Sequence, residues 1–366
     1  MARRQCDVAT DGNGFGRRSF LTMVGATAAA TTIGFAGSAS AHSTEYDPDQ
    51  VVDLGEKGLT NGDLIDPYLE QYYENDVEVR VPEGEYAWNG GGFHLGATRN
   101  AGVIGEGQVV LDAVDGYFYN NFRAEGGTLV VRNFTVRGTV SGSRNRAEAG
   151  PDGRVVLDNW NFPDGSTSPD RSRPWYVPGN HAGSVEFYNS YFAGFSDNAV
   201  YASSPAYEND ARDGIVIVEE CLAHNNNIAG IRIGSSNSVV RNCVVVNDAP
   251  SPRAPTGRNQ RGIWVRGQGD DQLIENCEVI HTYEGAGVPV NFGRHGNGSS
   301  GHMQDVRIHN DTSAPACNAV RAWSGERIAV SGSGNQSVPD WFDRCNGGSC
   351  REFRGRWERF AERKSA

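Results

Sequence analysis

The 366-residue chain has only two lysines, Lys57 and Lys364, against 31 arginines. Chemistry that needs a lysine amine is therefore confined to two positions. A positive balance is also missing. The formal charge is −12, which argues against the phosphate attraction that dominates nucleic-acid binding. An acidic, lysine-poor composition points to a salt-adapted source. The most apolar stretch, near the N-terminus, is broken by Thr and Gly and falls short of the roughly 20 residues a membrane span needs. No spaced cluster of His and Cys reads as a metal site, and no cofactor is assigned. What is abundant is glycine, 47 residues of it, with many Asn, Asp and Ser. That composition calls for many turns and short strands rather than helices.

Residues 1–41 end in GRRSFLTMVGATAAATTIGFAGSASA. Arg17-Arg18 before Ser19-Phe20-Leu21 resembles a twin-arginine export signal, with Ala39-Ser40-Ala41 as an A-x-A cleavage site. Cys6 precedes the arginines, so no cysteine stands where a lipid anchor would attach. The expectation is export, cleavage before His42, and a product outside the cell or at its surface with no membrane span. Removing residues 1–41 takes away four arginines and two aspartates, leaving the remainder two charges more acidic.

One line of this remainder is written twice. GIRIGSSNSVVRNCVVV (230–246) returns as GIWVRGQGDDQLIENCEVI (262–280). Aligning on the Asn-Cys element gives LVVRNFTV, VVLDNWNF, VEFYNSYF, VIVEECLA, SVVRNCVV, QLIENCEV and HMQDVRI. Their anchors are Asn133, Asn159, Asn189, Glu220, Asn242, Asn276 and Asp305, spaced 22 to 34 residues apart. Such a period with strand pattern and polar bends marks a solenoid, in which each unit buries its apolar side only by stacking on its neighbours. The anchors fit a bend near the left-handed region, which Asn and Asp tolerate. The next column (Phe134, Trp160, Ser190, Cys221, Cys243, Cys277, Val306) is apolar or small and should point inward. Its three cysteines read as buried small hydrophobes rather than ligands. Cys345 and Cys350 are the better disulfide candidates in an exported protein.

VEVRVPEGEYAWNGG (77–91) followed by AGVIGEGQVVLDA (101–113) resembles the opening of right-handed parallel β-helix proteins of the pectin lyase-like superfamily. The resemblance covers roughly residues 50–335 and implies an all-β solenoid. Before it, DPYLEQYYEN reads as a short capping helix with Asp66 as N-cap and Pro67 at the first helical position. Leu69, Tyr72 and Tyr73 would plug the first rung. The coil is expected over 42–336, with a C-terminal cap and tail over 337–366 in which Trp341, Phe342, Phe353, Trp357 and Phe360 close the far end. This superfamily hosts lyases, hydrolases, epimerases and non-enzymatic surface proteins, so the resemblance carries fold further than activity.

The strand after each bend can be aligned as well: RPWYVP, NAVYAS, GIRIG, GIWVR, GVPVN and NAVRAW. Alternation points Trp175, Val200, Ile231, Ile263, Val288 and Val320 inward. The outward column is then Tyr176, Tyr201, Arg232, Trp264, Pro289 and Arg321, with Pro178, Ser203, Gly234, Arg266, Asn291 and Trp323 two residues on. Insertions at 163–181, 248–261 and 281–301 would wall this strip with Arg171, Arg173, Arg253, Arg258, Arg261 and His295. Rows of aromatics and arginines suit acidic sugars, because rings stack on C–H faces and guanidinium forks hold carboxylates. The alternative is that these are the ordinary outward residues of an arginine-rich protein. His224 and His309 occupy equivalent bend positions, with His281 one residue later, and read as turn residues.

Three functions fit: a lyase-type enzyme on acidic, uronate-containing polysaccharide, a non-catalytic carbohydrate-binding or cell-surface protein, or a glycoside hydrolase. A monomer with polysaccharide as its partner is expected in each case. The polygalacturonase and pectate-lyase calcium motifs are absent; Asp270-Asp271 and Arg294-His295-Gly296 are only out-of-register fragments. Lys57 lies ahead of the opening read at residue 77 and Lys364 in the tail, which argues against a lysine base. In a lyase, Arg232, Arg266 and Arg321 would neutralise the sugar carboxylate. The base would be an arginine, as related lyases are thought to use, or His295 or Tyr201. Tyr176, Tyr201, Trp264, Trp323 and Asn291 would bind substrate. A hydrolase would need Asp197 and Glu284, three rungs and about 14 Å apart by the stacking distance, beyond the roughly 6.5–9.5 Å of inverting pairs. Replacing Arg17 and Arg18 by Lys should strand the uncleaved precursor inside the cell. Unchanged secretion of that double variant, scored by immunoblot of medium and cells, contradicts the twin-arginine route.

Overall fold

The computed structural model describes residues 46–89, 94–113, 116–252, 257–293, 298–318 and 322–344. These form an all-β parallel solenoid of about nine turns, with almost no helix. Each turn runs through three parallel sheets. The first sheet carries the strands that lead into the Asn bend and climbs from Gln50–Asp53 and Val77–Val81, through Ser184–Tyr188 and Ile215–Glu219, to Gly301–Gln304. The second follows the bend, as in Tyr191–Ala193, Leu222–His224, Val244–Asn247, Glu278–His281 and Arg307–Asn310. The third holds Arg173–Tyr176, Val200–Ala202, Ala229–Ile233, Arg261–Val265 and Val290–Phe292. In the N-terminal half the bends interrupt the ladder so little that Asn121–Arg137 and Gly142–Asn161 run as strands of 17 and 20 residues.

The anchor column is a column in space. Asn133, Asn159, Asn189, Glu220, Asn242, Asn276 and Asp305 all have φ between 47° and 68°. Neighbouring anchors bond to each other: Asn159 Nδ2 donates to Asn133 Oδ1 at 3.0 Å, and Asn276 Nδ2 to Asn242 Oδ1 at 2.6 Å. The column also extends one rung beyond the expectation, to Arg327 with φ 51°. There the guanidinium pairs with the anchor below it, Asp305, through two bonds of 2.8 Å. A bidentate ion pair offsets part of the roughly 1–2 kcal/mol that a side chain costs in this conformation.

The core is assembled from period-2 alternation repeated rung upon rung. In the first sheet, Val79, Val103, Val131, Leu157, Phe187, Val218, Val240, Ile274 and Met303 are successive register partners. All are fully buried. Behind the bend, Phe134, Trp160, Ser190, Cys221, Cys243, Cys277 and Val306 point inward as expected, each at most 2% exposed. The three cysteines are free thiols that donate to backbone carbonyls two residues back, at 3.2 to 3.4 Å. Burial raises the Cys243 thiol well above its ordinary pKa. Cys345 and Cys350 lie outside the described residues. The doubled Gly-Ile of the repeated line has its own cause. Gly230 and Gly262 sit side by side, and a Cβ on either would fall within 2.5 Å of an atom of the next element.

The helix Asp66–Tyr72 caps the first rung, with Leu69 in the core and Tyr72 and Tyr73 packed on it. Its N-cap is Ile65, not Asp66. Asp66 lies inside the first turn, where its carboxylate accepts the Asn89 amide at 3.1 Å instead of capping its own helix. At the far end, Phe342–Arg344 still pairs in parallel with the preceding rung, and Trp341 packs against Phe292 and Phe342. Phe353, Trp357 and Phe360 lie outside the described residues.

The Asn column generates a test. Asn276→Ala loses a side-chain bond and places Cβ-bearing alanine at φ 49°. It should lower stability by about 2–3 kcal/mol, while Asn276→Gly, which keeps the bend, should cost about 1 kcal/mol. Urea-unfolding midpoints of the three proteins measure the order.

Candidate functional site

Register fixes which side chains line the outside of the third sheet. On successive rungs they are His94, Asn121, Arg146, Tyr176, Tyr201, Arg232, Trp264 and Asn291. The expected run Tyr176–Tyr201–Arg232–Trp264 is therefore present. Asn291, expected one column over, stands beside Trp264 in place of Pro289, and Val290 rather than Val288 faces the core. A slip of two residues leaves inward and outward alternation unchanged, so the pattern GVPV does not distinguish the two registers. A turn closed by Ala286 N–H on the Tyr283 carbonyl takes up the extra chain.

Trp323 is not on the strip. It pairs with Gly301 in the first sheet, is 3% exposed, packs on Phe292 and donates its indole N–H to Ser299 Oγ at 3.1 Å. Cys317 meets Val290 on the third sheet, and by residue 323 the chain has already turned the corner. Arg321 and His295 lie outside the described residues, as does Arg253 among the wall residues.

The centre of the strip is not open to solvent, contrary to the sequence expectation. Arg232 is 2% exposed and Trp264 4%. The Arg232 guanidinium lies 3.8 Å from the Tyr201 ring centroid and 4.7 Å from that of Trp264. It donates from Nε to Ser203 Oγ at 2.6 Å and from Nη2 to the Tyr207 hydroxyl at 2.7 Å. These partners are rings and hydroxyls, and among the described residues no carboxylate forms an ion pair with Arg232. Tyr207 comes from the segment after the Val200–Ala202 strand, where the 3-10 turn Ser204–Ala206 folds it over the strip. Its hydroxyl is 2.6 Å from that of Tyr201. Sequence reasoning passed over Tyr207; the only signal was a 12-residue gap containing Pro205 between two strands.

Further arginines stack around this centre. Arg266 lies over Tyr207 at 4.6 Å and Trp264 at 5.2 Å, and Arg261 over Trp264 at 4.3 Å. Arg173 lies over Tyr176 at 4.7 Å and Tyr201 at 5.1 Å while pairing with Asp197 at 2.8 Å. Arg258 instead holds the Ser251 carbonyl, and Arg171 occupies a turn with φ 49°. Burial raises the Tyr201 phenol, but the Arg232 charge, the Tyr207 hydroxyl and the Arg266 charge outweigh it and hold the group below the ordinary tyrosine value. Tyr207 goes the other way, raised first by burial and then by its bond to Tyr201. Tyr176, half-buried and facing Glu208 at 3.3 Å, is pushed up to about 12, chiefly by loss of hydration.

Residues 177–347 match the family model described as right handed beta helix region. No curated protein matches the chain. The chain is a right-handed parallel β-helix protein. The matched span contains Tyr201, Tyr207, Arg232, Trp264 and Arg266, and β-helix folds are consistent with polysaccharide-active and cell-surface proteins.

In this β-helix the two carboxylates considered for hydrolysis do not form a pair. Asp197 is committed to Arg173 and to the Asn198 amides, whereas Glu284 is exposed and accepts the Ser313 amide. His224 and His309 do share a column. Each sits beside a carboxylate, Asp248 at 2.9 Å and Asp311 at 3.1 Å.

His281, one position on, is fully buried between the Gly287 carbonyl and Asn247. Burial lowers its pKa to about 4. The unfolded chain takes that proton near pH 6.5, so between those values the unfolded state binds more protons and stability falls as pH drops. From pH 7 to 5 this histidine should contribute a loss of about 2 kcal/mol. His281→Gln should remove that part of the slope in denaturant titrations at the two pH values, leaving what the likewise buried, lowered His181 adds.

Proposed function

We propose that this β-helix protein is an exported, polysaccharide-active enzyme whose third-sheet strip takes an acidic, uronate-containing chain and cleaves it by elimination. The observation that carries the reading is Arg232. A guanidinium withdrawn from water without a carboxylate loses hydration that two rings and two hydroxyls only partly replace. Such a cation favours an anion brought to the strip from outside through its charge, beyond the Ser203 and Tyr207 hydroxyls that already take its Nε and Nη2. Tyr176 and Tyr201, both partly exposed, offer ring surface to sugar C–H groups on adjacent rungs, about 4.8 Å apart, whereas Trp264 lies buried under arginines. Elimination requires that the substrate carboxylate be neutralised so that the neighbouring C–H becomes acidic, and cations fixed in a water-poor groove do this most effectively. Arg232 and Arg266 supply that field. Hydrolysis ranks lower, because Asp197 is tied to Arg173 and Glu284 lies exposed.

The same strip serves a non-catalytic carbohydrate-binding surface protein equally well as a binding site, and a rate measurement separates the two. Uronate polymers incubated with the purified protein should gain unsaturated ends, followed by their absorbance, together with reducing ends. Arg232→Gln should weaken polymer binding by about 10- to 100-fold, the worth of one charged hydrogen-bonded contact, and lose turnover with it. Binding without new ends assigns the surface-protein reading. Unchanged binding by Arg232→Gln removes the strip as the site.

A further inference from the structure

A chain of hydrogen bonds crosses the strip and ends on Tyr201. Arg232 can only donate, and its Nη2 donates to the Tyr207 oxygen at 2.7 Å. A charge-assisted donor on that oxygen polarises the Tyr207 O–H and makes it a stronger donor in turn. The next oxygen, 2.6 Å away, belongs to Tyr201. The Arg232 guanidinium also lies over the Tyr201 ring, 3.8 Å from its centroid. Both effects favour negative charge on Tyr201; the Arg232 charge acts on Tyr207 too, but there burial and the bond to Tyr201 outweigh it.

We propose that Tyr201 is the general base of this groove and that Tyr207 holds its charge and handles its proton. The assignment rests on the elimination reading above. The Tyr201 phenolate takes the proton from the carbon next to the substrate carboxylate. The C–H electron pair becomes the new carbon–carbon double bond, and the adjacent C–O bond to the next sugar breaks. The leaving oxygen keeps that bond's electrons and is protonated from the Tyr201–Tyr207 pair, which restores the phenolate. Nothing is oxidised or reduced, and no co-reactant is needed. The shift of the two phenols in opposite directions, Tyr201 down and Tyr207 up, agrees with this division.

The groups that face Tyr201 come from every neighbouring element. The rung below presents Tyr176 at 5.1 Å, with Glu208 on its hydroxyl, and Arg173 with Asp197. The rung above presents Arg232, and the overhanging segment presents Tyr207, with the Arg266 charge beyond. Arg173 is balanced by Asp197, so Arg232 is the cation on which the phenolate depends.

Two measurements test the proposal. The first titrates phenolate absorbance of the unliganded protein and needs no substrate. Wild type should show one tyrosine ionising below the ordinary value of about 10. That step should vanish in Tyr201→Phe and move to higher pH in Tyr207→Phe and Arg232→Gln. The second measures turnover and polymer binding on variants with wild-type unfolding midpoints. Tyr201→Phe should bind polymer but lose at least about 100-fold in kcat, the lower end of general-base catalysis. Tyr207→Phe should shift the acidic limb of kcat/KM to higher pH, which a merely structural role would not do. A Tyr201→Phe protein that cleaves at the wild-type rate overturns the base assignment while the elimination reading stands. An early-titrating tyrosine that survives in Tyr201→Phe overturns the relay. A wild type that produces no unsaturated ends from any uronate polymer removes the elimination reading itself. Should Tyr201→Phe fail to fold, the titration and pH limb of Tyr207→Phe decide alone, and an unshifted step with an unshifted limb overturns the proposal.

Discussion

The molecule depends on one backbone bend, repeated on eight successive rungs from Asn133 to Arg327: a residue in the left-handed conformation that turns the chain from the first sheet into the second. Its amide N–H donates to the rung above, Asn189 to Glu219, Glu220 to Arg241, Asn242 to Glu275, Asn276 to Gln304 and Asp305 to Glu326. Because each bend is tied to the next, the register set at this corner is inherited by all three sheets. The inward column behind it, the core valines before it and the strip on the third sheet are all consequences of the same alignment. Asn predominates because its short polar side chain tolerates positive φ and can bond to the next Asn. Glu220 and Arg327 show that the bend, not the residue, is obligatory.

Arginine does two different jobs on this coil. Outside the first sheet, Arg154 grips Glu186, Arg241 grips Glu219 and Arg327 grips Asp305, each through two hydrogen bonds across rungs. The exposed Arg327–Asp305 pair contributes little singly, on the order of 0–1 kcal/mol, and Glu186 of the Arg154 pair is buried, but all three fix rung against rung and satisfy both charges. Outside the third sheet the pattern changes. Arg232 meets rings and hydroxyls and has no carboxylate beside it among the described residues. An arginine-rich surface would be expected to look like the first sheet throughout. The departure from it singles out one face, and it coincides with the overhang of Tyr207.

The repeated line made the fold legible. Strand patterning, the Asn anchors and the inward column were all readable, because a solenoid makes every rung solve the same packing problem. Legibility stopped where that constraint relaxes. Trp323 read as another outward aromatic because NAVRAW resembles NAVYAS, yet the chain there has already left the third sheet. Asn291 was two residues out because a period-2 pattern is blind to a two-residue slip.

Sequence by itself determined the coil, its bend residues and the order Tyr176–Tyr201–Arg232–Trp264. Alternation and spacing carry that information, since neighbours along a solenoid are neighbours in register. Only the tertiary structure decided that Arg232 is buried, that it meets rings and hydroxyls and that Tyr207 lies over the strip with its hydroxyl on Tyr201. A segment that leaves the coil obeys no period. Where its tip lands depends on the path of the Ser204–Ala206 turn and on the arginines and the Tyr201 hydroxyl it meets.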